Sequence, residues 1–92
     1  MRDIRVAAVQ FEHTAGDKKA NLEKVSRFAD LAAQGGAEIV VFPECCLTGY
    51  WFLKELSRRE LLGLAEPVPD GPSTRALQEL SKRHSTTVGA GL

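Results

Sequence analysis

Apolar residues along the chain recur at two different spacings, which predict strands that alternate with helices. The first apolar segment, roughly Ile4 to Phe11, is typical of a strand and ends at the polar stretch 12–16. Asp17 is then placed to cap a helix, and Gly35-Gly36 is placed to end it. Between them, apolar residues at helical spacing form one stripe, with Leu22, Val25, Phe28, Ala29 and Ala32.

A continuous apolar run, Ile39 to Phe42, predicts the second strand. It lies between Gly36 and Pro43, and such runs are typical of parallel strands that are buried on both faces. A helix that crosses back over the sheet would deliver this strand parallel to the first. Glu44 follows directly, so we expect a poorly solvated carboxylate at the carboxyl end of the sheet, where ligands bind in open α/β folds.

The second half of the chain predicts two further helices and a third strand. A short helix is expected from Ser57 to Ala65, with Leu61, Leu62 and Leu64 partly buried. Prolines and an Asp-Gly pair between positions 67 and 72 forbid regular structure, and Ser73 is placed to cap the next helix. The inward face of that helix would contain Ala76, Leu77 and Leu80.

The last segment, Thr86 to Leu92, reads as a third strand in which apolar residues alternate with glycines. A strand with nothing after it to turn or cover it is an unusual end for a domain. We therefore expect these 92 residues to be the N-terminal part of a longer α/β domain.

The amino-acid composition limits the kinds of binding partner and the cellular compartment that we expect. The 12 basic and 12 acidic residues balance, which disfavours nucleic acid and anionic membranes. The N-terminal strand is too short for a signal peptide or a membrane span, so a cytoplasmic protein is expected. The two cysteines are adjacent, which excludes an ordinary disulfide framework and agrees with a reducing compartment.

The run from Gly36 through Tyr50 resembles the first signature of the nitrilase superfamily of carbon-nitrogen hydrolases. In that signature a glycine, an apolar strand, Phe-Pro-Glu, an apolar residue and Thr-Gly-Tyr follow in this order. The resemblance extends to the first strand, the helix start with Gly16-Asp17 and then Asn21-Leu22, the loop 69–73 and the final strand. Trp51 stands where proline is common, and Cys45-Cys46 replace more usual apolar or aromatic residues.

The resemblance implies a four-layer α-β-β-α sandwich and a catalytic triad of glutamate, lysine and cysteine. Only the glutamate maps onto this chain, at Glu44, where it would act as general base, since partial desolvation raises the pKa of a carboxylate toward the working pH. The implied substrate is a small linear amide, carbamoyl compound or nitrile, without a cofactor or metal, and the full-length protein would be a homo-oligomer. No residue here matches the motifs of the lysine or the cysteine, so the chain alone is expected to be inactive.

Other candidate residues have two interpretations. Cys45 and Cys46 are expected to be small buried hydrophobes, because a neighbouring anion raises the pKa of a thiol; a vicinal disulfide or a soft-metal site is the alternative. Tyr50 and Trp51 could line an acyl-binding pocket, or belong to the core or a subunit interface. His13, in a polar turn, and His84, at a helix end, are expected to be solvated.

A second function also fits the sequence. The chain could be a catalytically inactive α/β ligand-binding or interaction module, in which Glu44 helps to bind a ligand or cation at the strand ends. The two functions differ in what should follow Leu92, since the hydrolase requires a lysine and a cysteine at later strand ends.

Overall fold

The computed structural model describes residues 2–92 and shows a mixed α/β fold around one parallel sheet. The strands β1 (Val6–Ala8), β2 (Ile39–Val41) and β3 (Thr87–Gly89) are adjacent in that order. Val6 pairs with Ile39, and Ile39 pairs with Thr87, so β2 is the central strand. The prediction of an α/β fold with parallel strands is confirmed.

Helices connect these strands. Helix α1 (Lys18–Gln34) joins β1 to β2. Between β2 and β3 lie a 3₁₀ helix (Trp51–Glu55), α2 (Arg58–Leu64) and α3 (Pro72–His84). Within residues 2–92, no helix combines the length and the hydropathy that a membrane crossing requires.

Helix α1 begins and ends where its capping residues predicted. The Asp17 side chain accepts a hydrogen bond from the backbone N–H of Ala20 at 3.0 Å. Gly35 closes the last turn, and Gly36 has a φ of +83°, a left-handed conformation that most side chains resist. The predicted helix boundaries are confirmed at both ends.

The cap of α3 differs from the prediction. Gly71, not Ser73, occupies the N-cap position, and Pro72 begins the helix. The backbone N–H and the hydroxyl of Ser73 both donate to the Glu66 carboxylate, at 2.7 and 2.6 Å. A side chain six residues before the first residue of the helix therefore satisfies a free N–H group of its first turn.

The hydrophobic core lies on one face of the sheet. Val40 of β2 is fully buried and packs with α1 and α3 through Val25, Ala29 and Leu80. Side chains alternate along a strand, so Val6 and Val41 point to the opposite face, where they are 55% and 45% exposed. The expectation that the run Ile39 to Phe42 is buried on both faces fails at Val41 within residues 2–92, because both crossing helices pack against the other face.

Two further expectations needed correction. Leu62 is 63% exposed and Leu61 is also exposed, whereas only Leu64 of this helix is half-buried. Strands β1 and β3 are shorter than the apolar segments 4–11 and 86–92, because each pairs with β2 alone and β2 spans only three residues. The residues of these two apolar segments that lie outside β1 and β3 are therefore irregular.

An ion pair fixes the irregular segment between α2 and α3 to the start of α1. Lys18 Nζ lies 2.7 Å from the Glu66 carboxylate and also donates to the Leu64 carbonyl. Burial of the Glu66 carboxylate alone would raise its pKa, but the hydrogen bonds from Lys18 and Ser73 outweigh this effect and lower the pKa from 4.5 to about 2.

This ion pair makes stability depend on pH. The pKa of Glu66 is lower in the folded protein than in the unfolded chain, so its stabilising contribution is complete above pH 4.5 and is lost as pH falls toward 2. We expect Glu66→Gln to lower the free energy of unfolding by about 2 kcal/mol at neutral pH, with the difference from wild type shrinking below pH 4.5.

Chemical denaturation of both proteins between pH 7 and 3 measures this difference. Glu79→Gln, at an exposed position of α3, is the matched control and should change stability little at any pH. A Glu66→Gln difference that stays constant over the whole pH range would contradict the ionic role of Glu66.

Candidate active site

Glu44 lies in a tight turn directly after the central strand. We call residues 44–49 the Glu44 turn. Within it, the N–H of Gly49 donates to the Cys45 carbonyl at 2.8 Å, and Cys45 has a φ of +51°. Within residues 2–92, the Glu44 side chain is exposed rather than poorly solvated.

The loop that follows β1 binds the Glu44 turn from one side. In this loop, residues 12–16, the N–H of Gly16 donates to the Thr48 carbonyl at 2.8 Å. The fully buried side chain of Asn21 reaches both segments, with hydrogen bonds to Thr14 and to the Leu47 carbonyl. The two loops at the carboxyl edge are thus joined through backbone groups.

The segment after β3 contacts the turn from another direction. A Cβ atom added to Gly91 would lie 2.6 Å from the Cys45 nitrogen and 3.0 Å from the Glu44 Cα, closer than real Cβ atoms come to backbone. Glycine at position 91 thus permits a close backbone approach. The Cys46 thiol also lies 3.5 Å from the Gly91 carbonyl.

His13 is partly exposed and also contacts this arrangement through one hydrogen bond. The N–H of Tyr50 donates to His13 Nε2 at 3.3 Å, and the ring packs against Gly49. Gly49 has a φ of +95°, and a Cβ atom there would lie 2.8 Å from the ring. The sequence alone assigned His13 only to a polar loop, because its hydrogen-bond partner, Tyr50, lies 37 residues further along the chain. His84 ends α3 and is half-buried.

The two cysteines occupy different environments. Cys46 is fully buried, as expected of a small hydrophobe, and burial raises the pKa of its thiol. Cys45 is half-buried, and both thiols are free, so no vicinal disulfide is present. A buried, protonated thiol is a poor nucleophile, which supports a packing role for Cys46.

Tyr50 and Trp51 form an exposed aromatic pair where the turn enters the 3₁₀ helix. Their ring centroids are 5.4 Å apart in an edge-to-face arrangement. Trp51 is 73% exposed and Tyr50 is 44% exposed, so neither belongs to the core seen here. An exposed aromatic pair of this kind is suited to a pocket wall or to a subunit contact.

Lys18 and Glu66, which lie near the turn, are already paired with each other. A cavity of about 220 Å³ is lined by Leu47 and Thr48 of the turn and by Lys18 and Glu66. Lys18 is bound to Glu66, so it is not free to act as a cation for the site. In residues 2–92, no three His, Cys, Asp or Glu side chains are grouped so that they could hold a metal ion.

Comparison with known proteins decides the family. Residues 5–92 match the sequence model of the carbon-nitrogen hydrolase family. The chain belongs to this family. The resemblance of the Gly36–Tyr50 run to the nitrilase superfamily is thereby confirmed.

Several proteins of known name are similar to this chain in sequence. A nitrilase of Pyrococcus abyssi is 30% identical over 88 residues, which are 96% of this chain and 32% of the relative. A protein named as a hydrolase in Mycobacterium tuberculosis is 35% identical over 91 residues, 97% of this chain and 29% of the relative. An arylacetonitrilase of Aspergillus niger is 43% identical over 47 residues, 51% of this chain and 14% of the relative. The chain spans about a third of the length of the first two.

Gly91 provides a test of how this turn is held. Gly91→Ala places a methyl group against the backbone of Cys45 and Glu44, so we expect the turn to move and stability to fall by about 1 to 3 kcal/mol in the intact protein. Gly63→Ala is the matched control, because a Cβ atom there meets nothing within 4 Å and alanine favours a helix. Thermal unfolding measures both, and a Gly91→Ala protein as stable as Gly63→Ala would contradict the close approach.

The cysteines provide a second test. We expect Cys46→Ala to lower stability by about 1 to 3 kcal/mol, because it leaves a cavity among buried side chains. Cys45→Ala, at a half-buried position, should cost less stability. Melting curves of both variants measure these effects. A Cys46→Ala protein with the wild-type melting temperature would contradict the packing role.

Proposed function

We propose that this chain is the N-terminal part of a hydrolase of non-peptide carbon-nitrogen bonds, in which Glu44 is the general base. The observation that carries the proposal is the position of Glu44 at the carboxyl end of the central parallel strand. Ligands bind at this edge in open α/β sheets. Membership of the carbon-nitrogen hydrolase family supports the reaction class.

In the proposed mechanism, Glu44 removes the proton from a cysteine thiol contributed by the remainder of the domain. With an amide or carbamoyl substrate, the thiolate attacks the carbonyl carbon, and a lysine from the same remainder stabilises the oxyanion. Glu44 then returns the proton to the nitrogen as the carbon-nitrogen bond breaks, and water hydrolyses the resulting thioester. Residues 1–92 alone would be inactive, because neither partner of Glu44 is matched here.

The exposed face of the sheet supports the four-layer sandwich that we propose for the whole domain. Val6 and Val41 leave an apolar surface beside the site, and a second sheet packed on it would complete an α-β-β-α arrangement. The same remainder would reduce the exposure of Glu44. Partial desolvation makes a carboxylate a better base near neutral pH.

We propose a small linear amide, carbamoyl compound or nitrile as the substrate, with Tyr50 and Trp51 beside its acyl group. Both rings follow the Glu44 turn directly and present exposed aromatic surface, which can contact an apolar acyl chain. The names nitrilase and arylacetonitrilase among the relatives favour this group of substrates. We further propose that the full-length protein is a homo-oligomer and works without a cofactor.

Glu44→Gln in the intact enzyme tests the role of Glu44. Glutamine keeps the shape of the side chain but cannot take a proton, so we expect single-turnover acylation to fall by at least ~10² to 10⁴-fold while substrate binding persists. The same residue also serves the departing nitrogen, which makes a smaller loss unexpected.

Glu55→Gln, another exposed carboxylate, is the control and should leave acylation unchanged. A raised Michaelis constant with turnover retained would show instead that Glu44 only shapes the pocket. A folded Glu44→Gln enzyme with wild-type acylation would refute the proposed function.

A further inference from the structure

We infer that Asn21 is a positioning residue that holds the Glu44 turn in its reactive place. This inference rests on the proposed role of Glu44. Asn21 lies in the first turns of α1, not in the site, and its side chain is fully buried. Burial of an amide costs free energy unless its hydrogen bonds are made, so the partners of Asn21 indicate which chain segments it holds in place.

Each polar atom of the Asn21 side chain binds backbone of an irregular segment. Its Nδ2 donates to the Thr14 carbonyl and to the Leu47 carbonyl, both at 2.8 Å. Its Oδ1 accepts from the N–H of Thr14 at 2.7 Å. One side chain thus joins α1, the 12–16 loop and the Glu44 turn.

The turn needs such support because its own backbone makes few regular bonds. Besides Asn21, the Gly49 N–H and the Gly16 N–H make the two short bonds to its carbonyls, at 2.8 Å each. Cys45, directly after Glu44, has a left-handed φ of +51°, which is uncommon for a residue with a side chain. Leu47 is fully buried, so a carbonyl freed from Asn21 would have no ready access to water.

Only an amide satisfies all three groups at this position. Two carbonyl oxygens require two donors, and the Thr14 N–H requires an acceptor, a set that asparagine supplies. Aspartate has nearly the same shape, but the oxygen that replaces Nδ2 faces both carbonyl oxygens and, when ionised, donates to neither. Asn21→Asp therefore removes the link to the Glu44 turn while it keeps the volume of the side chain.

The experiment compares Asn21→Asp with Ser73→Ala in the intact enzyme. Ser73 is also buried and also hydrogen-bonded, but to Glu66, so its replacement controls for a general loss of stability. We expect single-turnover acylation at saturating substrate to fall roughly 10 to 100-fold for Asn21→Asp, with a Michaelis constant within about threefold of wild type. Ser73→Ala should lose melting temperature without this loss of acylation.

A double variant separates positioning from a general structural effect. If Asn21 acts through Glu44, Asn21→Asp should reduce acylation little further once Glu44→Gln is present, because coupled residues are not additive. Full additivity of the two losses would overturn the inference. Wild-type acylation in a folded Asn21→Asp protein would also overturn the inference. If Glu44→Gln is inactive at the same time, the proposed function would stand without it.

Asn21→Ser covers the case in which the aspartate variant does not fold. Its hydroxyl retains one donor and leaves room for water, so we expect a folded protein with a smaller loss of acylation than Asn21→Asp. Failure of both variants to fold would assign Asn21 to folding alone and would overturn its positioning role. Wild-type acylation in Glu44→Gln would instead refute the proposed function on which the inference rests.

Discussion

Parallel pairing of β2 with both neighbours is the constraint on which the rest of the structure depends. Because the three strands run in one direction, the segments that follow them leave the sheet at the same edge. Hydrogen bonds from Val9 to Val41 and from Phe42 to Gly89, both 2.8 Å, continue the pairing just past the strands. Glu44, the 12–16 loop and Gly91 meet there for this reason, although up to 79 residues separate them in sequence.

The first turns of α1 organise the irregular parts of the chain in two directions. Asn21 binds the loops at the carboxyl edge, and Lys18 binds the segment between α2 and α3 through Glu66. In both cases a side chain of a regular element satisfies groups that have no strand or helix partner nearby. Loops that carry function are mobile unless such contacts hold them, so the order of the site follows from this helix as much as from the sheet.

The sequence predicted what local patterns determine and missed what distant partners determine. The apolar stripe and the caps Asp17 and Gly35-Gly36 specified α1, and the run before Pro43 located Glu44. The Ser73 cap was wrong because the longer Glu66 side chain reaches the same helix turn. Hydrophobic spacing showed neither the His13 contact nor the Asn21 bonds, since both depend on how the loops lie in space.

The exposure of Glu44 and the uncovered sheet face have one physical cause. An apolar strand such as β2 is suited to burial on two faces, yet the helices of this chain pack on one. What covers the Val6 and Val41 side would also come to lie beside the Glu44 turn, because both strands lead to that edge. In the proposed enzyme, this chain therefore sets the position of the carboxylate, and the layer that buries the second face sets its solvation. Geometry and basicity of the general base would then arise from different parts of the domain, which is why packing on the open face and chemistry at Glu44 should be coupled.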